Sequence, residues 1–339
     1  MIILRPAQYA DLSQIEYLAE ASGPMVCTLP AKRRHLLAKI ERSIASFQQD
    51  VVTPGEEIYF FALEEQESGQ LVGTAAINAR AGFEEPFYAY RNDILVHSSR
   101  ALKIHNRVHA LSLTHALSDH SQLCSFFILP AFRNTNLPLL LTLGRLSFIA
   151  AHPERFSQDL MAVLPGIADK HGHSPFWEHV GRKFFGIDYN QAEYYNGTRD
   201  KTFIAELMPH HPLYVPLLHE DAQSVLGLVH HDAELQFNLL TDDGFDSEQF
   251  VEIFDAGPIV TARRTQLSSW LNHQQYTARA GLINEKSGNW LILNNHSERF
   301  AAVITKAEVT DATITVSPDV LTALDIKPDD HVHCLPLPP

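Results

Sequence analysis

The spacing of apolar residues at the start of the chain predicts a mixed α and β structure. Residues 1–4 form a short apolar run typical of a buried strand, and Leu12, Ile15 and Leu18 then fall on one face of a helix. A second helix is predicted over 31–47. Residues 57–78 read as two strands joined by a turn at Ser68 and Gly69, which indicates an antiparallel sheet.

The middle of the chain is less regular. Residues 93–117 fit either a strand followed by a short helix or a long irregular connection. Residues 123–129 are almost uninterruptedly apolar and end at Pro130, which predicts a central strand. A long apolar helix is predicted next, over 139–151.

Two later segments share one plan, in which a helix is followed by a glycine and then by a strand. The first, 174–188, has a helical spacing broken by Gly181 and Gly186, and the second is 233–255. One interpretation is a duplicated half; the other is a common device for ending a helix, with no ancestry implied. After Pro258 the pattern changes to short strands with a one-turn helix, which predicts a small C-terminal β-barrel.

Composition narrows the class of protein. The 339 residues are 45% hydrophobic and 19% charged, with a formal charge of −14, so a globular chain that avoids nucleic acid and anionic membranes is expected. The three cysteines have no CxxC spacing, which favours a reduced compartment. No apolar run approaches the ~18 residues that span a bilayer. We therefore predict a cytoplasmic protein.

The junction of the predicted central strand and helix is a candidate binding site for an acyl-CoA. Such a site needs strand amides for the thioester and free N–H groups at a helix start for the pyrophosphate. The connecting loop has no glycine before Gly144, and Arg133 is its one cation. The alternative is an ordinary buried strand and helix of an α/β domain.

His230 is the candidate for proton transfer, because a histidine titrates near neutrality and can give or take a proton in acyl transfer to an amine. A surface or structural role is the alternative, since the chain has nineteen histidines. A metal site is not predicted, because the remaining histidine pairs lack a ligand spacing on one helix face: His171 with His173, and His210 with His211.

Two residues are candidates for binding the acceptor. Arg91 follows Tyr88 and Tyr90 and could clamp a carboxylate with two parallel hydrogen bonds, together with His97. Alternatively the tyrosines pack in a strand with their hydroxyls at the surface. Glu206 could receive a cationic group, although a capping or exposed role fits it equally well.

Several motifs, in order along residues 1 to 335, resemble the arginine N-succinyltransferase family, and especially the alpha subunits of its arginine/ornithine succinyltransferases. They are RPAQYADL, EPFYAYRN, ILVHSSRALKIHN, LCSFF, HPERF, SPFWEHVGRKFF, FIAELMPHHPLYVPLL and EIFDAGP. The resemblance implies an α+β fold of the acyl-CoA N-acyltransferase (GNAT-like) type. With it we expect a GNAT-like domain over 1–200, a second GNAT-like half over 201–262 and a β-rich domain over 263–339.

The resemblance also implies the reaction. Succinyl-CoA would be the donor and the α-amino group of L-arginine the acceptor, giving N2-succinyl-L-arginine in arginine catabolism, with no cofactor besides this co-substrate. His230 matches the family's proton donor and Phe126 its succinyl-CoA contact. Single-subunit members have leucine in place of Phe126, and an arginine followed by GNG where this chain has Arg133 followed by NTNLP.

We expect direct attack of the neutral amine on the thioester, with strand amides of 125–127 stabilising the oxyanion. The degenerate loop leaves two alternatives open. A beta subunit or a second copy of the chain completes the donor site, or the chain is a non-catalytic or regulatory subunit. Ornithine is an alternative acceptor, since it carries the same reacting amine.

Overall fold

The computed structural model describes residues 1–23, 26–169, 171–198 and 201–338. Its strands are β1 (Ile2–Pro6), β2 (Ile58–Glu65), β3 (Gln70–Asn78), β4 (Ala89–Ser99), β5 (Ile104–Thr114), β6 (Ser121–Ile128), β7 (Asp159–Val163), β8 (Leu213–Tyr214), β9 (Asp246–Val251), β10 (Pro258–Arg263), β11 (Gln274–Ala280), β12 (Asn289–Leu293), β13 (Ala302–Lys306), β14 (Glu308–Thr310), β15 (Thr313–Val316) and β16 (His331–Pro336). Its α-helices are α1 (Leu12–Ser22), α2 (Arg33–Gln48), α3 (Leu137–Ala151), α4 (Pro175–His179), α5 (Gly181–Phe185), α6 (Tyr189–Thr198), α7 (Thr202–Leu207), α8 (Glu220–Ser224), α9 (Glu234–Asp243), α10 (Ser268–Leu271) and α11 (Pro318–Ala323).

The chain forms two compact units, each built from separated segments. Unit 1 comprises Met1–Ala79, Leu123–Gln158 and Arg263–Pro339, and unit 2 comprises Arg80–Gln122 and Asp159–Ala262. The sequence predicted consecutive domains over 1–200, 201–262 and 263–339, and that division stays a prediction.

In unit 1 the predicted elements of the N-terminal segment are confirmed. β2 and β3 form the expected antiparallel hairpin, β1 pairs with β2, and β6 lies beside β3. Helices α1 and α2 bury apolar residues such as Leu18 and Ile40 in a core that also contains Phe60 and Phe127. Helix α3 is buried almost all round, as its continuous apolar sequence predicts.

The C-terminal segment of unit 1 is rich in short strands, as predicted. The strands follow the order β14, β15, β11, β16, β12, β13 and β1, with β11 and β15 parallel and the other registered neighbours antiparallel. Helix α11 buries Val320 and Leu321 in the core formed by these strands. The pairings do not confirm a closed barrel, which remains a prediction.

In unit 2 the strand order is β7, β10, β9, β4, β5, β8. The interpretations of 93–117 as a strand with a short helix, or as an irregular connection, are wrong, because most of this segment belongs to the long antiparallel hairpin of β4 and β5. Exposure explains the error. Ile94 and Val96 are each 56% exposed, so the hairpin lacks the apolar and polar alternation that marks a half-buried strand.

The helical part of unit 2 surrounds a second core. Trp177 and Phe254 are fully buried there with their rings 5.3 Å apart. The predicted break near Gly181 is confirmed, since α4 ends at His179 and α5 begins at Gly181. The predicted helix, Gly-Phe turn and strand after residue 233 are also confirmed in α9 and β9. The strand implied by the same plan after Gly186 is wrong, because helix α6 follows there. Whether the two segments are copies of one ancestral half stays a prediction.

Candidate functional site

Ser125 on β6 has an unusual backbone conformation held by side chains. Its φ is +52°, in the left-handed region that residues with a side chain rarely adopt. The Ser125 N–H donates to Thr28 Oγ1 at 2.9 Å, its hydroxyl donates to the Thr28 carbonyl at 2.8 Å, and its own carbonyl accepts from Thr74 Oγ1 at 3.2 Å. These bonds hold the strand in a local distortion next to Phe126.

Lys39 of α2 completes this arrangement. Its Nζ donates to Ser125 Oγ and, at 2.8 Å, to the Thr28 carbonyl, and it lies 5.0 Å from the centre of the Phe60 ring. Burial lowers the pKa of Lys39 below its usual range. Of the amides in 125–127 that were predicted to stabilise the oxyanion, the Ser125 N–H is already bonded to Thr28, and the oxyanion role of this segment stays a prediction.

Phe126 is half-buried and lies against a buried cation. The guanidinium carbon of Arg145, on α3, is 5.6 Å from the centre of the Phe126 ring. Arg145 is fully buried, and its Nη1 donates to the carbonyls of Ala76 at 3.2 Å and Cys124 at 3.5 Å. The predicted donor-contact residue is thus the neighbour of an arginine that the sequence analysis did not select.

Arg133 lies where the predicted pyrophosphate loop was expected, just after a single 3₁₀ turn, Pro130–Phe132. Helix α3 begins soon afterwards, but its first turn offers fewer free donors than usual. The Leu137 N–H donates to Thr135 Oγ1 at 3.2 Å, and Pro138 has no N–H. The helix start is therefore a poorer phosphate site than a glycine-rich loop, in line with the expectation from the sequence.

His230 in unit 2 is buried, with 8% of the residue exposed. The backbone N–H of His230 donates to the Pro165 carbonyl at 2.8 Å, and its ring Nδ1 accepts from the backbone N–H of Asp232 at 3.2 Å. Because Nδ1 is an acceptor, the neutral ring carries its proton on Nε2. Burial, and then neighbouring His231, lower the pKa of His230, while Asp232 opposes this. The neutral form of the His230 ring is therefore favoured.

The EIFDAGP segment forms the loop between β9 and β10 beside the His230 segment. Asp255 accepts hydrogen bonds from the N–H groups of Gly166 and Gly257, both at 2.7 Å, and from the Tyr189 hydroxyl at 3.0 Å. A Cβ on Gly257 would lie 2.3 Å from the Leu164 carbonyl oxygen, so glycine permits this close approach.

Glu252 lies in the same loop and accepts from the N–H groups of Phe254 and Asp255. Burial, and then the charge of Asp255, raise the pKa of Glu252 well above its usual range. Burial also raises the pKa of Asp255, although the hydrogen bonds from Gly257 and Gly166 oppose it. The Ala256 carbonyl accepts from the Gly227 N–H at 2.9 Å, which ties the acidic loop to the segment that leads into His230.

Arg91 and Glu206 are both exposed. Arg91 donates from Nε to Asp93 Oδ1 at 2.8 Å, and this bond raises the pKa of the Arg91 guanidinium. Tyr90 is fully buried, and its hydroxyl is 3.4 Å from Met208 Sδ. The acceptor-binding roles of Arg91 and Glu206 stay predictions.

Among the residues that the structure describes, two groups of side chains could hold a metal ion, and neither was selected from the sequence. They are His179 with His219 and Asp221, and His230 with His231 and Asp232. The His179 and His219 rings stack in parallel with centres 3.9 Å apart, so a single ion cannot lie in both ring planes. The absence of a metal stays a prediction.

The sequence analysis missed Lys39, Arg145, Glu252 and Asp255. The last two lie in the EIFDAGP motif, where acidic residues inside an apolar run next to glycine are a signal. Lys39 gave none, since it is one of several cations on an amphipathic helix. Arg145 did give a signal, a single cation within an apolar helix of fifteen residues.

Comparison with known proteins assigns the family. A family model described as "Arginine N-succinyltransferase beta subunit" matches residues 2–269, and one for its C-terminal domain matches 274–336. The chain belongs to the arginine N-succinyltransferase family. This confirms the predicted family and, with it, the predicted acyltransferase. The GNAT-type fold stays a prediction.

Named relatives agree with this assignment. The chain is 43% identical to "Arginine N-succinyltransferase subunit alpha" of Pseudomonas aeruginosa over 90% of each chain, and 35% identical to "Arginine N-succinyltransferase" of Yersinia pestis over 99% of this chain and 98% of that one. A solved structure, arginine/ornithine succinyltransferase subunit AI from Pseudomonas aeruginosa, has a TM-score of 0.90 and 39% identity, covering 100% of this chain and 99% of that one. No helix in the described part of the chain has the length and apolarity to cross a membrane.

Proposed function

We propose that this chain transfers the succinyl group of succinyl-CoA to the α-amino group of L-arginine. The observation that carries this proposal is the family assignment over nearly the whole chain, together with relatives of that name at 35% to 43% identity. Nothing in the comparisons favours the alternative of a non-catalytic subunit. The reaction belongs to arginine catabolism, and a cytoplasmic location fits the composition.

The chemistry needs one bond formed, one broken and two protons removed from the α-nitrogen. The α-ammonium group first loses one proton to solvent, and the neutral amine attacks the thioester carbonyl. A carbon–nitrogen bond then forms as the carbon–sulfur bond breaks, and the second proton passes from the nitrogen to the thiolate of CoA. Holding both substrates in place makes this step effectively unimolecular, so no covalent enzyme intermediate is required.

We assign the proton transfer to His230. Its neutral ring, favoured by burial and by His231, can accept a proton released by the amine, and the resulting imidazolium can protonate the thiolate. The buried Asp255 and Glu252 loop supports the segment that carries His230 and keeps its backbone in place.

We assign the contact with succinyl-CoA to Phe126 and the contact with its phosphates to Arg133. The held conformation of Ser125 supports the first assignment, because it fixes the backbone that leads into Phe126. For the acceptor we propose Arg91 for the carboxylate and Glu206 for the distant cationic end. Both are exposed, so a ligand can reach them without unfolding.

A further subunit is part of the proposal. The relative named "subunit alpha" and the poor phosphate site at the start of α3 favour a beta subunit or a second copy of this chain as a partner. Measuring the molar mass of the purified chain, alone and with a candidate beta subunit, decides between these.

Thiol release tests the proposed function. The chain is incubated with succinyl-CoA and either arginine, ornithine, lysine or no amine, with and without a candidate beta subunit. We expect release that depends on arginine. Thiol release with ornithine but not with arginine would mean that ornithine is the acceptor. This outcome is chemically open, since the two amino acids differ only at the end distant from the reacting amine. No release with any amine, with no binding of succinyl-CoA, would favour the non-catalytic alternative.

A further inference from the structure

Arg145 is a buried cation that forms no ion pair with any residue described in the structure. It lies on α3 with no exposed surface, and its Nε donates to the Leu141 carbonyl at 3.0 Å. Its Nη1 reaches only carbonyl oxygens, and its Nη2 has no hydrogen-bond partner among the described residues. Burial lowers the pKa of Arg145 to about 10, so the guanidinium is still charged at pH 7.

Such a group is costly to keep. A buried charge loses its hydration, and a buried N–H donor without an acceptor loses the energy of a hydrogen bond. Native proteins satisfy nearly all buried polar groups, so an orphaned one calls for a missing water, ion or ligand.

The position of Arg145 indicates what kind of ligand would accept a hydrogen bond from its Nη2. Its guanidinium lies beside the Cys124 carbonyl of β6 and against the ring of Phe126, which is half-buried. Phe126 is the residue assigned above to the donor. A succinyl group differs from other short acyl groups in its terminal carboxylate, and arginine is the side chain best suited to bind a carboxylate with two parallel hydrogen bonds.

We propose that Arg145 binds the terminal carboxylate of the succinyl group, with Nη2 as a donor, once the Phe126 ring moves aside. This inference rests on the proposed function, because it takes succinyl-CoA as the donor. It makes Arg145 the residue that selects a succinyl group over an uncharged acyl group of the same length.

Butyryl-CoA is the matched probe, since it carries a methyl group where succinyl-CoA carries a carboxylate. We expect the wild-type chain to use succinyl-CoA with a much higher kcat/KM than butyryl-CoA. In Arg145→Gln, kcat/KM should fall by at least about 30-fold for succinyl-CoA, the lower bound for losing one partner of a buried charge pair. For butyryl-CoA it should stay the same or rise. Arg145→Lys, which keeps the charge, should retain part of the preference.

Two results would overturn the proposal. One is a wild-type chain that uses both thioesters equally, which needs no variant to fold. The other is an equal fall in kcat/KM for both thioesters in Arg145→Gln and in Arg145→Lys. That result is expected if Arg145 only supports the fold through an internal water. Circular dichroism and thermal unfolding establish that each variant is folded.

Equilibrium binding separates this inference from the proposed function. If the wild-type chain transfers neither acyl group but binds succinyl-CoA more tightly than butyryl-CoA, and Arg145→Gln removes that preference, then Arg145 has the proposed role and the proposed function is wrong. If the wild-type chain transfers the succinyl group but folded Arg145→Gln keeps the preference for succinyl-CoA over butyryl-CoA, then the proposed function stands and the proposed role of Arg145 is wrong.

Discussion

Lys39 Nζ donates a hydrogen bond to Ser125 Oγ, joining helix α2 to the point where β6 takes a left-handed backbone conformation. Replacing Ser125 by alanine or by glycine removes the same hydroxyl, but only glycine adopts a positive φ without cost. We therefore expect Ser125→Gly to be more stable than Ser125→Ala by about 1 kcal/mol. Urea unfolding monitored by circular dichroism measures the difference.

The opposite order of stability would show that the backbone relaxes in the alanine variant and that no strain is held at Ser125.

Lys39→Met tests the contact of Lys39 with Ser125 separately. We expect it to raise the KM for succinyl-CoA, because the backbone before Phe126 loses one of its anchors, while an exposed lysine such as Lys286 changed to methionine leaves the KM unaltered.

His230→Ala should lower turnover by about 100- to 10,000-fold, the usual contribution of a positioned proton-transfer group, and leave the protein folded. His105 is the matched control, since it is an exposed histidine on the hairpin of β4 and β5, and His105→Ala should keep the turnover of the wild type. Steady-state thiol release measures both variants. Equal turnover in wild type and His230→Ala would remove His230 from the mechanism.

The pH dependence of turnover follows from the same residue. Burial lowers the pKa of His230, so its ring stays neutral at a lower pH than an ordinary histidine. If neutral His230 is required, kcat/KM should fall on the acid side with a midpoint below the usual histidine value of about 6.5. A midpoint above that value would contradict the assignment.

The acidic loop offers a matched pair of substitutions. Burial, and then the charge of Asp255, raise the pKa of Glu252 well above its usual range and so favour its protonated form, which Glu252→Gln imitates. Asp255→Asn instead removes an oxygen acceptor from a group that accepts three hydrogen bonds. We expect little change in the unfolding free energy for Glu252→Gln and a loss of about 1 to 3 kcal/mol for Asp255→Asn.

Denaturant unfolding of the two variants at pH 7 gives this comparison. The wild type should also lose stability relative to Glu252→Gln as pH rises above the usual glutamate pKa, because the unfolded chain then ionises Glu252 and the folded chain does not. A Glu252→Gln variant less stable than Asp255→Asn would mean that Glu252 carries the charge.

Buried histidines should make unit 1 sensitive to acid. Burial lowers the pKa of His152 and of His273 from the usual 6.5 to about 4, and it also lowers that of His333, whose Nδ1 lies 2.7 Å from His273 Nε2. Between pH 6.5 and 4 the unfolded chain binds these protons and the folded chain does not. Stability should therefore fall as pH falls, by at most about 1.4 kcal/mol per pH unit for each histidine.

Urea unfolding at a series of pH values measures the slope. His273→Asn, which cannot be protonated, should make the slope shallower, whereas His105→Asn on the exposed hairpin should leave it unchanged. An unaltered slope in His273→Asn would show that other groups govern the acid response.

Much of the fold could be predicted because the buried elements repeat with a clear period. Leu12, Ile15 and Leu18 marked α1, and the apolar run before Pro130 marked β6. The hairpin of β4 and β5 could not be recognised, because neither face of its outer part is buried and its pattern therefore lacks a period. The two discontinuous units also leave no local mark, since they depend on contacts between distant segments.

Some residues of the candidate site could likewise be predicted from the sequence, and others could not. Phe126 was named through a resemblance alone, whereas the chemistry of histidine offered His230 as one candidate among nineteen and the resemblance supported that choice. Lys39 and Ser125 are 86 positions apart, and Tyr189 and Asp255 are 66 apart, so no local pattern could join either pair. Arg145 was visible as one cation in an apolar helix, but its significance depends on the absence of an anion around it in the described structure.

The most direct test of the central claim is to identify the product by mass spectrometry after the purified chain, with its candidate beta subunit present, reacts with succinyl-CoA and L-arginine. We expect N2-succinyl-L-arginine in amounts equal to the thiol released. Unmodified arginine, with free succinate or no thiol at all, would contradict it.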